Sequence, residues 1–581
     1  MAVEMRKLAG LYRPGPADRP QDGPQDRSQD RFISAGRIFN PPPGVSPERL
    51  LADLAQDPAR LETLESDLAL AHYDAAQDRV TLVRDACGLT PLYYARCGEG
   101  WAFGLTLEAL FEILGGPPPL NEAAFYDFAA THYRHIFRDP SRTFHQGVLQ
   151  APAGCSVSLK GQEAHVRRWF KLEFQPALAL LSPQEASELY VAGLDENVRL
   201  RLEALEGRNC AFTVSSGMDS ASVACLAARR LNRPLDAWFM AYRDQSGSPY
   251  DETAGVEALV QSLGWRLHRL DLGAPDLLSE TATLMKKTLA PVATVTWLAH
   301  YVMARQAAEE GVEFLFSGLG GDESLAGEFE HFFVFFADLQ AAGQDELLAQ
   351  ETQAWIRLHD HPVFKKTTEV RDEWFARNLD FQTGEIRVDQ RRYAAHREFF
   401  DPGWVEAQEA AAPPPPMPRP FPYFLSNRLY QEMTYETSPP TLWSEALSSR
   451  AAGVKGVFPM TSPKLLALAL SLPGTFKYEN GLTKMLLRRA MKGILPDSSR
   501  LNPVKTGFNA PLDLWLQEKK LNDDCRALLN SAPFKNLGWL RPGAADRMLD
   551  EHLQGRRNLM MLLWPLISTA IFLDQGLAGG A

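Results

Sequence analysis

Two short loops rich in Ser, Gly and Asp constrain this chain most, because each follows an apolar run typical of a buried strand. The first loop, SSGMDS at 215–220, follows the run 210–214 and leads into a helical pattern. The second, SGLGGDE at 317–323, follows the run 314–316. A strand, a tight loop and a helix N-terminus together present backbone N–H groups to one point, where the helix dipole favours an anion. The pattern therefore predicts two loops that cradle phosphate.

The stretch around these loops alternates strands with helices, which is typical of a parallel sheet covered by helices. Strands are expected at 210–214, 235–242, 268–272 and 314–317, and helices near 220–231, 251–264, 276–289 and 296–310. In such sheets ligands bind beyond the carboxyl ends of the strands, where both loops fall. Residues 33–175, in contrast, show the apolar–polar alternation of a strand-rich region.

Composition excludes several classes of function. The net charge of −12 argues against nucleic acid as a partner. The six cysteines show no C-x-x-C pair and the first ten residues lack an apolar signal core, so we expect a cytoplasmic protein. The apolar run 559–573 is short for a bilayer and contains Pro565, so we expect a buried helix and no membrane association. The segment 14–31, rich in Pro, Asp and Gln, is expected to be a flexible insertion.

Each loop carries one aspartate, Asp219 or Asp322, and carboxylate oxygens are the hard ligands that Mg²⁺ prefers. The first loop is not a Walker A motif; it matches the pyrophosphate-loop pattern S-G-G-x-D-S except that Ser216 replaces the first Gly. The small Ser216 hydroxyl is expected to fit and can add a donor. The plain alternatives are a helix N-cap for the first loop and a turn with solvated acids for the second. Both loops in one strand–loop context favour a site that holds ATP by its phosphates.

Residues 184–573 resemble the synthetase domain of the asparagine synthetase superfamily. The resemblance is carried by the loop at 317–323, the Gly453-Val454…Pro459 segment, the KxxLR motif at 484–488 and the KTGF motif at 505–508. It implies an adenine-nucleotide α-hydrolase-like, pyrophosphate-loop domain. In this family the substrate carboxylate attacks the α-phosphate of ATP, an acyl-adenylate and pyrophosphate form, and an amine then takes the acyl group.

The same resemblance implies roles for single residues. Asp219 and Asp322 are expected to hold Mg²⁺, and Asp322 is also a candidate catalytic residue. Lys505 is expected to stabilise the charge that develops during acyl transfer, and Lys484 to neutralise phosphate charge; the alternative for either lysine is a solvated surface charge. The other residues implied to contact the nucleotide are Ser215, Ser216, Gly217, Met218, Ser220, Met240 and Gly318.

Residues 1–183 resemble the glutamine amidotransferase domain of the same superfamily, an Ntn-type αββα fold. The match is carried by RDACGLTPLYY at 84–94 and by the segments 142–148 and 152–154. That domain needs Cys directly after the initiator Met, so that its own amine serves as base for the thiol, whereas position 2 here is Ala. Cys87 is expected to be a packed residue. We therefore expect a scaffold without glutaminase activity, followed by an ATP-dependent domain at 184–581 with a helical insert at 324–445.

Departures from the family pattern narrow the substrate. Between Gly318 and Gly320, asparagine synthetases carry Glu and β-lactam synthetases carry Tyr; this chain has Leu319, which can neither accept a proton nor bind an amine. Lys455 and Ser462 stand where asparagine synthetases have Glu and commonly Asp. The combination resembles lasso peptide cyclases. It implies a macrolactam synthetase that adenylates an Asp or Glu side chain of a core peptide, joins it to the peptide's N-terminal amine, and works with a leader-recognition protein and a maturation peptidase.

Two alternatives stay open. Another amide ligase, either β-lactam synthetase-like or an ammonia-dependent asparagine synthetase, is disfavoured by Leu319. A catalytically silent peptide-binding protein is disfavoured because both loop aspartates and both lysines are retained. Functional roles for His300 and for Asp251-Glu252 are possible, but core packing and helix capping are favoured for them.

Overall fold

The computed structural model describes residues 9–12, 31–131, 139–358, 366–387, 396–411, 417–503 and 509–579. Lys505 lies outside these residues, as do Ala2 and almost all of the expected insertion at 14–31. No helix in the described part of the chain is long and apolar enough to cross a membrane.

The N-terminal region forms two antiparallel sheets, in the orders β2-β3-β4-β8-β9 and β1-β6-β5-β7. Their strands are β1 Ala9–Tyr12, β2 Arg31–Ala35, β3 Ala69–Asp74, β4 Arg79–Arg84, β5 Tyr93–Cys97, β6 Gly100–Gly104, β7 Val148–Gln150, β8 Cys155–Lys160 and β9 Glu163–Arg168. The helices of this region are α1 Pro47–Gln56, α2 Leu107–Leu114 and α3 Glu122–Thr131.

The two sheets pack face to face, and a helix covers each outer face. Leu82 and Val157 of one sheet share a buried cluster with Tyr94 and Phe103 of the other. Helix α1 packs on β3 and β4, and α2 packs on β1, β5 and β6. Burial of one apolar face of each strand against the opposite sheet explains this layering. The predicted αββα architecture is confirmed.

The C-terminal region is built on a parallel five-stranded sheet in the order β12-β11-β10-β13-β16. Its strands are β10 Cys210–Thr213, β11 Asp236–Tyr242, β12 Arg266–Leu272, β13 Phe314–Phe316 and β16 Lys455–Val457, and a separate hairpin is formed by β14 Leu379–Asp380 and β15 Glu385–Ile386. The predicted parallel sheet is confirmed; β16 was not predicted.

The remaining chain is helical. Its helices are α4 Pro176–Ala179, α5 Pro183–Ala204, α6 Met218–Leu231, α7 Thr253–Leu263, α8 Leu277–Thr288, α9 Val295–Glu309, α10 Gly321–Leu325, α11 His331–Ala341, α12 Asp345–Leu358, α13 Thr368–Asn378, α14 Pro402–Ala411, α15 Phe424–Tyr435, α16 Ser438–Ala452, α17 Pro463–Ser471, α18 Met485–Ala490, α19 Asp497–Arg500, α20 Leu512–Trp515, α21 Lys519–Leu529, α22 Ala532–Lys535, α23 Ala544–Leu553 and α24 Met560–Asp574.

Both faces of the parallel sheet are buried at its three central strands, β11, β10 and β13, as expected for strands with helices on either side. In β11, Phe239 joins a core cluster on one face, whereas Trp238 and Met240 join the cluster on the other. This split follows from the two-residue period of a strand. Helix α24 belongs to the second cluster, so the apolar run at 559–573 is a buried helix. The sheet therefore holds its strand ends, and the loops that follow them, in a rigid frame.

Candidate active site

The first loop curls back on itself between β10 and α6. The Ser215 N–H donates to Ser220 Oγ at 3.1 Å, and the two hydroxyl oxygens lie 3.0 Å apart. The Gly217 N–H donates to Ser215 Oγ at 3.2 Å, and α6 begins at Met218. Because the first N–H groups of a helix have no intrahelical acceptor, this turn offers donors for an anion.

Ser216 is oriented differently from its neighbours in this loop. Its N–H and its hydroxyl both donate to Glu252 Oε2, at 2.8 and 2.9 Å. Glu252 lies at the start of α7 and is buried, and burial raises the pKa of its carboxyl although the two hydrogen bonds oppose the rise. The hydroxyl that was expected to add a phosphate donor is therefore bound to a carboxylate.

The backbone of the second loop touches the first loop at two positions where only glycine fits. A Cβ on Gly318 would lie 2.2 Å from the Ser220 nitrogen, and a Cβ on Gly321 would lie 2.3 Å from Asp219 Cγ. Gly320 has φ +98°, a left-handed conformation that glycine adopts without strain. The glycines of the second loop therefore bring Asp322 next to Asp219.

Lys484 lies between the two aspartates. Its Nζ is 2.5 Å from Asp219 Oδ2 and 2.6 Å from Asp322 Oδ1. Burial by itself would lower the pKa of Lys484, but the two carboxylates hold it above its ordinary value. Gly327 closes this arrangement, since a Cβ there would lie 1.8 Å from Asp322 Oδ1. Both carboxylates thus converge on one point that accepts positive charge.

The two converging carboxylates suit Mg²⁺ better than a metal that is held by protein ligands alone. The described residues contain no group of three or more His, Cys, Asp or Glu side chains suited to a metal. Mg²⁺ is commonly held by one or two carboxylates together with substrate phosphates and water. Asp219 and Asp322 supply that number of carboxylates beside the phosphate loop.

Two further ionisable groups, Glu323 and Arg488, lie near the acid pair. Burial, together with the neighbouring Asp322, raises the pKa of Glu323 to about 8. Arg488 donates to the carbonyls of Thr483, Arg500 and Asn502, and burial lowers its pKa to about 10. Arg488 thus fixes the backbone on both sides of α18 and just before the segment that contains Lys505.

A cleft between the two regions of the chain opens beside the second loop. Its empty volume is about 930 Å³ including its open mouth, and Leu319, Gly320 and Glu323 form part of its wall. The rest of the wall includes Cys87, Arg168, Phe170 and Lys171 of the N-terminal region and Tyr430, Met433, Leu442 and Trp443 of α15 and α16. Cys87 is partly buried, and its thiol lies 3.2 Å from the Thr461 carbonyl. Burial raises the pKa of Cys87, which agrees with a packed residue.

Three residues that the sequence analysis singled out lie away from the acid pair: Lys455 and Ser462, which replace acids of asparagine synthetases, and Met240, expected near the nucleoside. Lys455 pairs with Phe314 at the starts of β16 and β13, and its Nζ lies 6.0 Å from the Phe314 ring centroid, at the opposite ends of these strands from the loops. Ser462 donates to Glu65 at 2.7 Å across the two regions. Met240 lies in the core of β11 and does not line the cleft. Of the three positions where the chain departs from asparagine synthetases, only Leu319 lies at the cleft, where it packs with Leu442. The inference that the chain does not bind a free amino acid therefore depends on Leu319.

Sequence reasoning missed the role of Glu252. Asp251 accepts from Gly247 N–H and Thr253 N–H at 3.0 Å each, as expected for a helix cap, whereas Glu252 contacts the first loop. His300 lies 2.7 Å from the buried Glu445, which agrees with core packing. An acid pair at a helix start is a common capping signal, so no motif marked Glu252.

Comparison with known proteins identifies both regions. The family model "Asparagine synthase" matches residues 192–574, and the model "Glutamine amidotransferase domain" matches residues 50–170. A Mycobacterium bovis protein provisionally named asparagine synthetase (glutamine-hydrolyzing) is 23% identical over 534 residues, covering 87% of this chain and 76% of the relative. Asparagine synthetase (glutamine-hydrolyzing) 3 of Bacillus subtilis is 20% identical, covering 75% of this chain and 66% of the relative.

Among solved structures, the glutamine phosphoribosylpyrophosphate amidotransferase of B. subtilis is 10% identical. The superposition includes 43% of this chain and 62% of the amidotransferase chain, with a TM-score of 0.17.

Proposed function

Because the chain belongs to the asparagine synthase family, we propose that it is an ATP-dependent lasso peptide cyclase. Members of this family are ATP-dependent ligases that form amide bonds and release AMP, and the chain is an enzyme of this class. The observation that supports a peptide substrate is the cleft beside the second loop, whose wall contains Leu319. The resemblance implies Glu or Tyr at this position in relatives that act on free amino acids.

The nucleotide is held at the two loops. Mg²⁺ would be held by Asp219 and Asp322, where it would draw the phosphates of ATP to the strand ends and offset their charge. Lys484 adds a cation at the same point. The remaining proposed contacts are those of Ser215, Gly217, Met218 and Ser220 with the phosphates and of Gly318 and Met240 near the nucleoside.

The proposed reaction has two steps: the acyl group is first activated as an adenylate and is then transferred to an amine. An oxygen of the Asp or Glu side chain attacks the α-phosphorus of ATP and pyrophosphate leaves. The peptide's N-terminal amine then attacks the acyl carbon, the bond to AMP breaks, and the amine nitrogen loses a proton. Holding amine and acyl group together contributes about 7–11 kcal/mol to lowering the barrier. Lys505, proposed to stabilise the developing charge, lies outside the described residues.

The cleft suits a peptide better than a free amino acid. Its wall combines apolar side chains with cations at Arg168 and Lys171, as expected for a site that takes an extended chain with polar groups. Both regions of the chain supply wall residues. The amidotransferase-like region is thus proposed as a substrate wall in place of an ammonia source.

The test is product formation with peptides encoded beside the gene, or with a synthetic peptide that has an N-terminal Gly and an Asp several residues later. We expect AMP and pyrophosphate release together with loss of one water from the peptide. An N-acetylated peptide should release pyrophosphate without ring closure. Leader-recognition protein and maturation peptidase are the proposed partners when a full precursor is used.

Asp322→Ala should abolish AMP formation, whereas Asp345→Ala, at an exposed position of α12, should not. Asparagine formed from aspartate and ammonia would replace this proposal by the ammonia-dependent synthetase, and a β-lactam product by that relative. Peptide binding without turnover of any carboxylate would show a silent binding protein.

A further inference from the structure

The side chain of Ser216 sits in a notch at the start of α7. Its N–H and hydroxyl share one acceptor, Glu252 Oε2, at 2.8 and 2.9 Å. Gly255 forms the other side of the notch, because a Cβ at this position would lie 2.9 Å from Ser216 Cβ. A glycine at 216, as the pyrophosphate-loop pattern has it, would offer only the N–H to this carboxylate. The Ser at 216, the acid at 252 and the glycine at 255 therefore form one fitted set.

The Glu252 side chain can contact the first loop because Asp251, and not Glu252, accepts the hydrogen bond at the start of α7. Asp251 accepts the N–H groups of Gly247 and Thr253, and the Glu252 side chain makes no cap hydrogen bond in its own helix. A buried carboxylate must be satisfied by donors, and hydrogen bonds to a charged group are the stronger ones. Glu252 is 7% exposed, and the loop supplies its donors.

We propose that Glu252 is a positioning residue that fixes the first loop through Ser216, and that the Ser216 hydroxyl serves this tether instead of binding phosphate. The tether holds the loop in the shape in which Ser215, Gly217 and Ser220 face the phosphates before ATP arrives, and donors that are already oriented bind without reorganisation. This inference rests on the nucleotide site of the proposed function and not on the identity of the acyl substrate.

The test is a double-mutant cycle read by calorimetric binding of pyrophosphate and of ATP, both with Mg²⁺, and by the KM and kcat of pyrophosphate release. We expect Glu252→Ala to weaken ATP binding and raise its KM about tenfold, with kcat changed less. Ser216→Ala should weaken binding in the wild type but add less than about twofold in the Glu252→Ala background, because its effect passes through Glu252.

Glu252→Gln is the conservative rescue. Its carboxamide oxygen can accept both hydrogen bonds, so binding should stay within about threefold of the wild type. Glu257→Ala is the matched control, since Glu257 is an exposed acid on the same helix. If Glu252→Ala does not fold, Glu252→Asp withdraws the acceptor by one methylene and should weaken binding in the same way.

Three outcomes would overturn the tether. Ser216→Ala could cost the same in both backgrounds, which would make the hydroxyl a phosphate donor. Glu252→Gln could bind pyrophosphate more tightly than the wild type, which would make Glu252 an opposing charge. The wild type could bind ATP while all variants bind it equally well. A wild type that binds neither ligand would instead overturn the nucleotide site itself.

Discussion

At the scale of single residues, Lys484 decides whether the acid pair is stable. Its ammonium lies within 2.6 Å of a carboxylate oxygen of both Asp219 and Asp322. Removal of one partner from a buried ion pair leaves uncompensated charge and typically costs about 3–5 kcal/mol. We predict that Lys484→Met lowers the thermal midpoint in chelator, and that millimolar Mg²⁺ restores more stability to this variant than to the wild type. Thermal unfolding with and without Mg²⁺ measures both effects.

The control for this prediction is Lys492→Met, since Lys492 is exposed just after the same helix. It should leave the midpoint and its response to Mg²⁺ unchanged. Equal effects of the two substitutions would mean that Lys484 is an ordinary surface cation. An unchanged response to Mg²⁺ in Lys484→Met would mean that the aspartates do not share an ion.

At the scale of elements, the site depends on how closely β10–α6 and β13–α10 approach. Gly318 is the tightest contact, because its added Cβ would lie 2.2 Å from the Ser220 nitrogen and 2.4 Å from the Asp219 carbonyl carbon. Backbone atoms cannot rotate aside, so the loops must separate. We predict that Gly318→Ala loses ATP binding by at least about 10²-fold while destabilising the fold by only about 1–3 kcal/mol.

Calorimetry with ATP and Mg²⁺, alongside thermal unfolding, checks this prediction. Gly403→Ala is the matched control, because a Cβ at this helical position meets only Asp401 Oδ1, at 3.3 Å. It should bind ATP as the wild type does. Normal binding by Gly318→Ala would refute the close approach of the loops.

The same elements show what the sequence could predict. Three strands of the parallel sheet, β10, β11 and β13, were predictable because each is an apolar run, and β12 because its leucines alternate with polar residues; the parallel sheet with its αββα partner is confirmed. Strand β16 has three residues, of which only Val457 is buried, so it forms no apolar run. The class of enzyme, an AMP-forming amide ligase, was also predictable, because its motifs are local. The contact of Lys484 with Asp219 spans 265 positions, and the cleft combines two regions, so neither has a local signal.

At the scale of the whole molecule, the N-terminal region is joined to the synthetase region by buried polar contacts. Arg450 donates to Thr90 Oγ1 at 2.8 Å, and Trp443 donates to the Tyr93 hydroxyl at 3.2 Å. Trp443 also lines the cleft. Under the proposed function, such contacts would keep the shape of a substrate wall built from both regions, because a shift between the regions would change that wall. The amidotransferase-like region is proposed to serve in this way without glutamine hydrolysis.

A further contact between the two regions, of His396 with Tyr126, makes stability depend on pH. His396 is buried with its Nε2 3.2 Å from the hydroxyl of Tyr126 on α3, and that hydroxyl donates to Glu409 at 2.9 Å. Burial, helped by the positive charge of Arg397 and opposed by Glu409, lowers the pKa of His396 to about 4. Between pH 6.5 and 4 the unfolded chain binds a proton that the folded chain refuses, so stability present at pH 7 is lost as the pH falls through this window.

We predict that this single group removes up to about 3 kcal/mol of stability between pH 6.5 and 4, with no further loss from it below pH 4. His396→Gln cannot titrate there, so its thermal midpoint should fall less across the window than that of the wild type. The exposed His165 is the control, and His165→Gln should follow the wild-type curve. If His396→Gln and the wild type lost stability in parallel, His396 would not be held neutral at the boundary between the two regions. If only His396→Gln flattened the curve, His396 at this boundary would account for that part of the loss of stability in acid.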